Sequence, residues 1–301
     1  MSPEPYPLLA WISQHENIIR PSFFFSMLAI IGLWEMLAPR RALKVSKLLR
    51  WSNNLGLVFF NAFLLRLIFP AGAVGMAHFA QQQGWGLLNY VDVHPLLAIS
   101  ASVIAMDFII YLQHVMVHAV PALWRLHRVH HADLDYDVTT GARFHPVEII
   151  LSMIIKFATI IVLGAPLVAV IIFEVVLNAM AMFNHGNIGL PPRLDRLLRY
   201  FIVTPDMHRV HHSIEDDETN SNFGFNLSCW DRFFGTWREQ PRGGQLGMQI
   251  GIKGFNTADK TAWIHTMLIM PLTGTVNDYV INRREWPDTE KQTDVSHQEH
   301  P

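Results

Sequence analysis

Apolar residues along this chain gather into long runs rather than alternating, and several runs are of membrane length. A helix needs roughly 20 mainly apolar residues to cross a hydrocarbon core of about 30 Å. Residues 22–39, which include FFFSMLAIIGLWEML, predict a first span with Glu35 near its end. Residues 55–80 predict a second, which carries Arg66, and residues 95–118 a third. Residues 147–163 and 167–183 predict a hairpin of two more spans, broken at Gly164, Ala165 and Pro166 by turn-forming residues. After residue 183 the pattern changes. Residues 193–203 (RLDRLLRYFIV) read as an amphipathic helix lying at the membrane interface. From residue 204 the chain is polar, and residues 263–272 are apolar but too short to span. The tail from about residue 288 is charged and predicts disorder. The expected fold is all-α and integral to the membrane, with four to five transmembrane helices and a helical cap. Four spans result if the first segment is only interfacial.

Composition supports this picture. Of 301 residues, 50% are hydrophobic and 16% charged, against about 25% charged in soluble domains. The net charge of −2 gives no reason to expect a nucleic-acid partner. The single cysteine, Cys229, excludes an internal disulfide, a four-cysteine zinc site and a cysteine-ligated iron–sulfur cluster. The N-terminus has no basic region and no apolar run before residue 18, so no cleavable signal peptide is expected. Arg40, Arg41, Lys44, Lys47 and Arg50 follow the first span directly. By the positive-inside rule they place that loop, and the ends of the third and fifth spans, on the cytoplasmic side.

The candidate chemistry is in the histidines. Eleven of the sixteen lie between positions 94 and 212. Eight of these form three clusters: HVMVH (His114, His118), HRVHH (His127, His130, His131) and HRVHH again (His208, His211, His212). Residues three or four apart share a helix face, so each cluster can aim its imidazoles into one volume. Imidazole is a common ligand for iron, copper and zinc, and eight converging rings are more than one ion needs. A metal pair at the cap is expected, without selection of the metal. Asp107, Tyr111, His114 and His118 share one face of the third span, and Asp107 is positioned to accept from a ligand imidazole. Asp133, Asp135 and Asp137 follow the second cluster and read mainly as a solvated acidic loop. His78 and His94 read as structural or solvated, and His15, His265, His297 and His300 as surface or tail residues. Phe108, Tyr111, Phe144 and Phe183 are candidate pocket residues, with core packing the plainer role.

The ordered pattern HxxxH, HxxHH and a downstream HxxHH resembles the fatty acid hydroxylase/sterol desaturase superfamily of membrane di-iron enzymes. So do the flanks HRVHHADLDYDVTTGARFHPVE (127–148), NHGN (184–187), TPDMHRVHH (204–212) and NFGFNLSCWDRFFGTW (222–237). The last two are also similar to alkylglycerol monooxygenases, which are pterin-dependent. The likeness covers roughly residues 95–240, setting a domain between an N-terminal transmembrane region (1–94) and a cytoplasmic C-terminal region (241–301). The resemblance implies that the eight clustered histidines are metal ligands and adds His185 as a ninth. It also puts His145 near the site, with ligand and structural roles both open; Glu148, one turn later, is placed to be its partner. Val115 departs from the arginine that often follows the first histidine of HxxxH.

The resemblance further implies two iron ions, O2 as co-substrate, a membrane lipid as substrate and a bacterial inner-membrane location. The expected reaction is lipid C–H hydroxylation, with desaturation on the same scaffold as the alternative. A membrane metal-binding or transport protein is a remote third reading. No dinucleotide fingerprint, flavin motif or haem-attachment CxxCH is present. Electrons would therefore come from outside, from a ferredoxin, a cytochrome-type reductase or a pterin. Substrate, position of attack and oligomeric state stay open at this stage.

Overall fold

The computed structural model describes residues 6–274, 279 and 281; the C-terminal tail with His297 and His300 lies outside them. Helices are the regular structure of the described residues, with no strand among them and two isolated bridges, Ile202 with Leu227 and Ser213 with Ile250. A short helix α1 (Pro7–Gln14) leads into α2 (Glu16–Leu37), followed by α3 (Lys47–Ile68) and α4 (Gly72–Gln82). Next come α5 (Pro95–Ala119), α6 (Pro121–His131), α7 (Pro146–Leu163), α8 (Leu167–Asn184), α9 (Pro192–Leu198) and α10 (Pro205–His211). Five helical segments are long and apolar enough to cross a membrane, and the chain is a multi-pass membrane protein.

The observed helices match the five apolar runs with small changes at their ends. The second run is not one rod. Phe69, Pro70 and Ala71 interrupt it, because proline cannot extend the preceding helix, and α4 resumes beyond them. The predicted interfacial helix is shorter than its amphipathic pattern, ending at Leu198 before the turn through Tyr200. Local chemistry sets the other boundaries. Pro95, Pro146 and Pro205 open α5, α7 and α10, where a missing N–H costs nothing. His94, His145 and Thr204 accept a backbone N–H at the caps of those helices. Gly164 ends α7 at φ 66°, a left-handed conformation that suits glycine, and starts the hairpin to α8.

Between the spans lies an apolar core of small and branched side chains, including Ala73, Ala77, Met106, Ile160, Ala169 and Phe173. Large apolar side chains such as Phe23, Ile30, Phe63, Leu97 and Val162 are exposed. They form a lipid-facing exterior that water would not tolerate over this extent.

The cap is held to the spans by buried ions. Arg50 of α3 donates through Nε and Nη2 to Asp133 Oδ1 and Oδ2, both at 2.8 Å, and through Nη1 to Asp137 Oδ2 at 2.5 Å. Thr140 Oγ1 donates to Asp133, and Arg143 Nη2 donates to the Thr261 carbonyl at 2.6 Å. Asp135 accepts the backbone N–H groups of Lys44 and Val45. Asp133, Asp135 and Asp137 are thus buried rather than solvated, because Arg50, Arg143 and backbone donors compensate them. The basic loop is likewise spent on the protein. Arg41 donates to the carbonyls of Gln245 and Met248, and Arg40 pairs with Asp206 at 3.0 Å. Glu35 accepts the N–H groups of Val138 and Asn187, both at 2.7 Å, so the end of α2 is fixed beside the histidine clusters.

Candidate metal centre

The four segments carrying histidines end in one small volume. α5 delivers His114 and His118 on successive turns of one face. α6 and α10 each end in their HRVHH, with His131 in the last helical position of α6 and His212 capping α10. His185 caps the far end of α8. The nine imidazoles fall into two groups, each with potential ligand atoms within 4.8 Å of one another: His114, His118, His127, His131 and His211; and His130, His185, His208 and His212. Each HRVHH gives its i, i+4 pair to one group and its middle histidine to the other. The two repeats therefore play complementary parts, with HVMVH completing the first group and His185 the second. The groups adjoin, with the rings of His131 and His212 stacked at 4.5 Å.

Ring orientation is fixed from behind. His114 Nδ1 donates to the Phe223 carbonyl at 2.8 Å and His211 Nδ1 to the Ser221 carbonyl at 2.7 Å. His118 Nδ1 donates to Asn220 Oδ1 at 3.1 Å and His127 Nδ1 to Glu148 Oε1 at 2.6 Å. An oxygen acceptor forces the proton onto Nδ1 and leaves Nε2 with a lone pair. The Nε2 atoms of all four rings are buried and have no hydrogen-bond partner. In the second group, His185 Nδ1 donates to the Ala181 carbonyl at 2.8 Å. Its Nε2 then faces His130 Nε2 at 3.1 Å and His212 Nε2 at 3.2 Å. Nitrogens each about 2.1 Å from one shared ion stand roughly 3–3.4 Å apart.

Burial pushes the pKa values of His130, His131, His208, His211 and His212 well below the ordinary imidazole range, and that of His185 down to about 3. Neighbouring imidazoles reinforce the effect in the first five. Neutral rings with converging, unpartnered lone pairs are what a cation requires. An apolar core would leave so many buried polar atoms unsatisfied at a cost of about 1–3 kcal/mol each. The residues therefore fit two metal ions.

Aromatic side chains surround the cage. Phe144 stacks on His130 at 4.5 Å, Tyr136 on His185 at 5.4 Å, and Trp124 tilts against His118 at 4.8 Å. Tyr136 also donates to the Asn184 carbonyl at 2.7 Å, holding the end of α8. One residue here has no side chain for a geometric reason. A Cβ on Gly141 would stand 2.3 Å from the Ala181 carbonyl oxygen and 3.0 Å from His185 Nδ1. A cavity of about 390 Å³ opens onto His114, His127 and His130 from among the spans.

Several residues singled out by sequence lie elsewhere. Asp107 accepts from Trp230 Nε1 at 2.8 Å and from the Leu227 N–H, not from an imidazole. Tyr111 bonds Thr236 Oγ1 at 3.0 Å. Both tie α5 to the segment that follows α10. His145 is in neither group: Nδ1 accepts the Val147 N–H and Nε2 donates to the Leu268 carbonyl. Burial lowers its pKa, in keeping with a neutral cap. Glu148, one turn away, partners His127 rather than His145. Of the candidate pocket aromatics, Phe144 lines the cavity, and Phe108 stacks instead with Phe234. Arg50, Asn220 and Gly141 are supporting residues that sequence did not single out. Arg50 stood out only among the basic residues read for membrane orientation.

Comparison with known proteins matches residues 99–236 to the fatty acid hydroxylase family. An ornithine lipid hydroxylase from Rhizobium tropici is 32% identical over 148 residues, 49% of this chain and 43% of that protein. Alkylglycerol monooxygenases from Xenopus tropicalis and Homo sapiens are 30% and 26% identical over 134 and 157 residues. These matches cover 44% and 50% of this chain but 29% and 33% of those proteins. The chain thus aligns with less than half the length of these relatives. No solved structure is significantly similar. Residues 99–236, the stretch that matches the fatty acid hydroxylase family, hold all nine converging imidazoles.

Proposed function

We propose that the chain is a membrane-bound, O2-dependent lipid hydroxylase that holds two iron ions, one in each imidazole group. The single observation that carries this reading is the cage itself. Nine buried rings divide five and four, their free nitrogens converge, and an apolar cavity reaches them from membrane depth. Iron in this cage would supply O2 activation and an oxidant able to take hydrogen from an unactivated C–H bond.

The protein's own part is placement. Glu148, Asn220 and the carbonyls of Ser221 and Phe223 hold protons on Nδ1 and keep Nε2 turned inward. Phe144, Trp124 and Tyr136 exclude water from the cage. The cavity walls bring one carbon of a lipid chain up to His114, His127 and His130. No general base is needed. The substrate is a membrane lipid, as the names of the relatives suggest, and electrons come from a separate donor. We place the cap on the cytoplasmic face of a bacterial inner membrane.

The test is mass spectrometry of lipids incubated with iron-loaded protein, reductant and O2. A gain of 16 mass units is expected. A loss of 2 would mean desaturation on the same scaffold. No modified lipid, with metal flux across vesicles instead, would overturn the reading in favour of transport.

A further inference from the structure

The cavity that meets the imidazoles has a second pole. His114, His127 and His130 line one end, and Arg20, Lys156 and Glu174 line the other. Apolar side chains such as Leu65, Ile110, Met153 and Leu177 form the walls between them. Glu174 is shared by two cations, with Lys156 Nζ 2.7 Å from Oε1 and Arg20 Nη2 2.7 Å from Oε2. Arg20 also reaches Glu16 at 3.1 Å.

Ionisable groups within membrane-spanning helices are costly, and where they persist they commonly mark a substrate path. The triad joins α2, α7 and α8, as a structural lock would. One feature goes beyond a lock. Lys156 donates to Glu174 once, and its two other ammonium protons have no protein partner among the described residues. Arg20, Lys156, Glu174 and Glu16 balance in charge, so it is these free ammonium protons on the cavity wall that offer an anion its hydrogen bonds.

The distance between the poles can be counted along the helices. On α7, Glu148 holds His127, and Lys156 lies eight residues further on, about 12 Å at 1.5 Å per residue. Ser152, midway, also lines the cavity, so one helix face runs from pole to pole. On α8, Glu174 precedes His185 by eleven residues, about 16 Å. Asn178 and Ala181 line the same path. An extended hydrocarbon zigzag of about 1.5 Å bonds advances about 1.25 Å per bond, so this gap holds roughly ten to thirteen carbons.

We propose that the Arg20–Lys156–Glu174 triad binds the carboxylate of a fatty-acid-type amphiphile and so fixes which carbon reaches the imidazole cage. This rests on the lipid hydroxylase reading and narrows it. Lys156 and Arg20 donate to the carboxylate oxygens, Glu174 holds both cations against the wall, and the chain lies along α7 and α8. Oxidation then falls roughly ten to thirteen carbons from the carboxyl group.

The test uses metal-loaded protein, without reductant, in lipid nanodiscs and a fluorescent polyene fatty acid beside its methyl ester, which keeps the chain and removes the charge. Wild-type protein is expected to bind the acid about tenfold more tightly than the ester. Lys156→Met is expected to abolish that preference, and Lys156→Arg to keep it. Equal binding of acid and ester by wild type would overturn the proposal. So would a Lys156→Met protein of unchanged helix content that still prefers the acid. The wild-type comparison decides the matter even if the variant does not fold. Because this binding needs no turnover, failure to oxidise any lipid would sink the hydroxylase reading alone. In active protein, Lys156→Met is further expected to spread oxidation over several neighbouring carbons.

Discussion

At the scale of single residues, the cage depends on groups that never touch a metal. Glu148 is the clearest. Its Oε1 fixes the proton of His127 at Nδ1 from 2.6 Å and so keeps the opposite nitrogen turned inward with its lone pair. Glu148→Gln keeps the shape and removes the charge. Metal affinity is expected to fall roughly 10- to 100-fold, as for other changes behind a ligand, with helix content unchanged. Competition against a graded chelator measures this, and unaltered affinity would remove Glu148 from the site. Asp107→Asn is expected to leave metal affinity as it is, because Asp107 bonds Trp230 and Leu227.

Gly141 gives a sharper test. Its missing Cβ makes room for the Ala181 carbonyl and the His185 ring. His185 belongs only to the four-imidazole group. Gly141→Ala is therefore expected to lower bound metal from two ions per chain toward one, read by elemental analysis of the purified protein. Retention of two ions would show that the cage does not need this close approach.

These residues also show where sequence stopped being informative. Helical spacing brought out eight histidines and resemblance the ninth. Which ion each ring faces was not legible. His130 and His131 are neighbours in sequence yet lie about 100° apart around a helix, and only the tertiary placement of His185 and His212 against the first, and of His118 and His211 against the second, sends them to different groups. His145 has the residue type of a ligand, but it precedes a proline that opens a helix, and capping takes its ring.

At the scale of elements, the cap is joined to the spans by α3. The ion pairs of Arg50 with Asp133 and Asp137 are almost fully buried, with side-chain exposures of 1–2%. Removing one partner of such a group strands the others in a medium that solvates them poorly, at about 3–5 kcal/mol. Arg50→Met is expected to lower the thermal midpoint in detergent and to loosen both HRVHH segments. Arg50→Lys is expected to fall between, since an ammonium cannot make the paired contacts with Asp133. A midpoint unchanged in Arg50→Met would show that the aspartates find other partners.

This network explains a misreading of the acidic loop. Asp133, Asp135 and Asp137 look solvated because sequence shows three carboxylates within five positions and no adjacent cation. Their main partner, Arg50, is 83 residues earlier than Asp133, among basic residues whose plainer meaning is membrane orientation. The apolar runs were far easier to read, since a span is a local property of composition. The break at Pro70 was not, because α3 and α4 together read as one continuous run.

At the scale of the whole molecule, the question is which way the cap faces. The basic loop argues for the cytoplasm, but Arg40, Arg41 and Arg50 are engaged by Asp206, by two cap carbonyls and by two aspartates. The positive-inside signal that remains is smaller than the residue count suggests. A direct probe exists in Cys229, the single cysteine, which is exposed on the cap. Partial burial and nearby Asp107 raise its thiol pKa, so the reactive thiolate is scarce at neutral pH and labelling should quicken as pH rises. A membrane-impermeant maleimide at mildly alkaline pH is expected to label Cys229 in inside-out vesicles and not in right-side-out ones. Labelling of intact right-side-out vesicles would put the cap on the outer face and reverse the topology. The span count can be read in the same preparation. Five spans put an epitope tag ahead of residue 6 on the face opposite Cys229, whereas four put both on one face. Protease protection of the tag wherever the thiol is accessible would therefore establish α2 as a true span rather than a helix lying on the membrane.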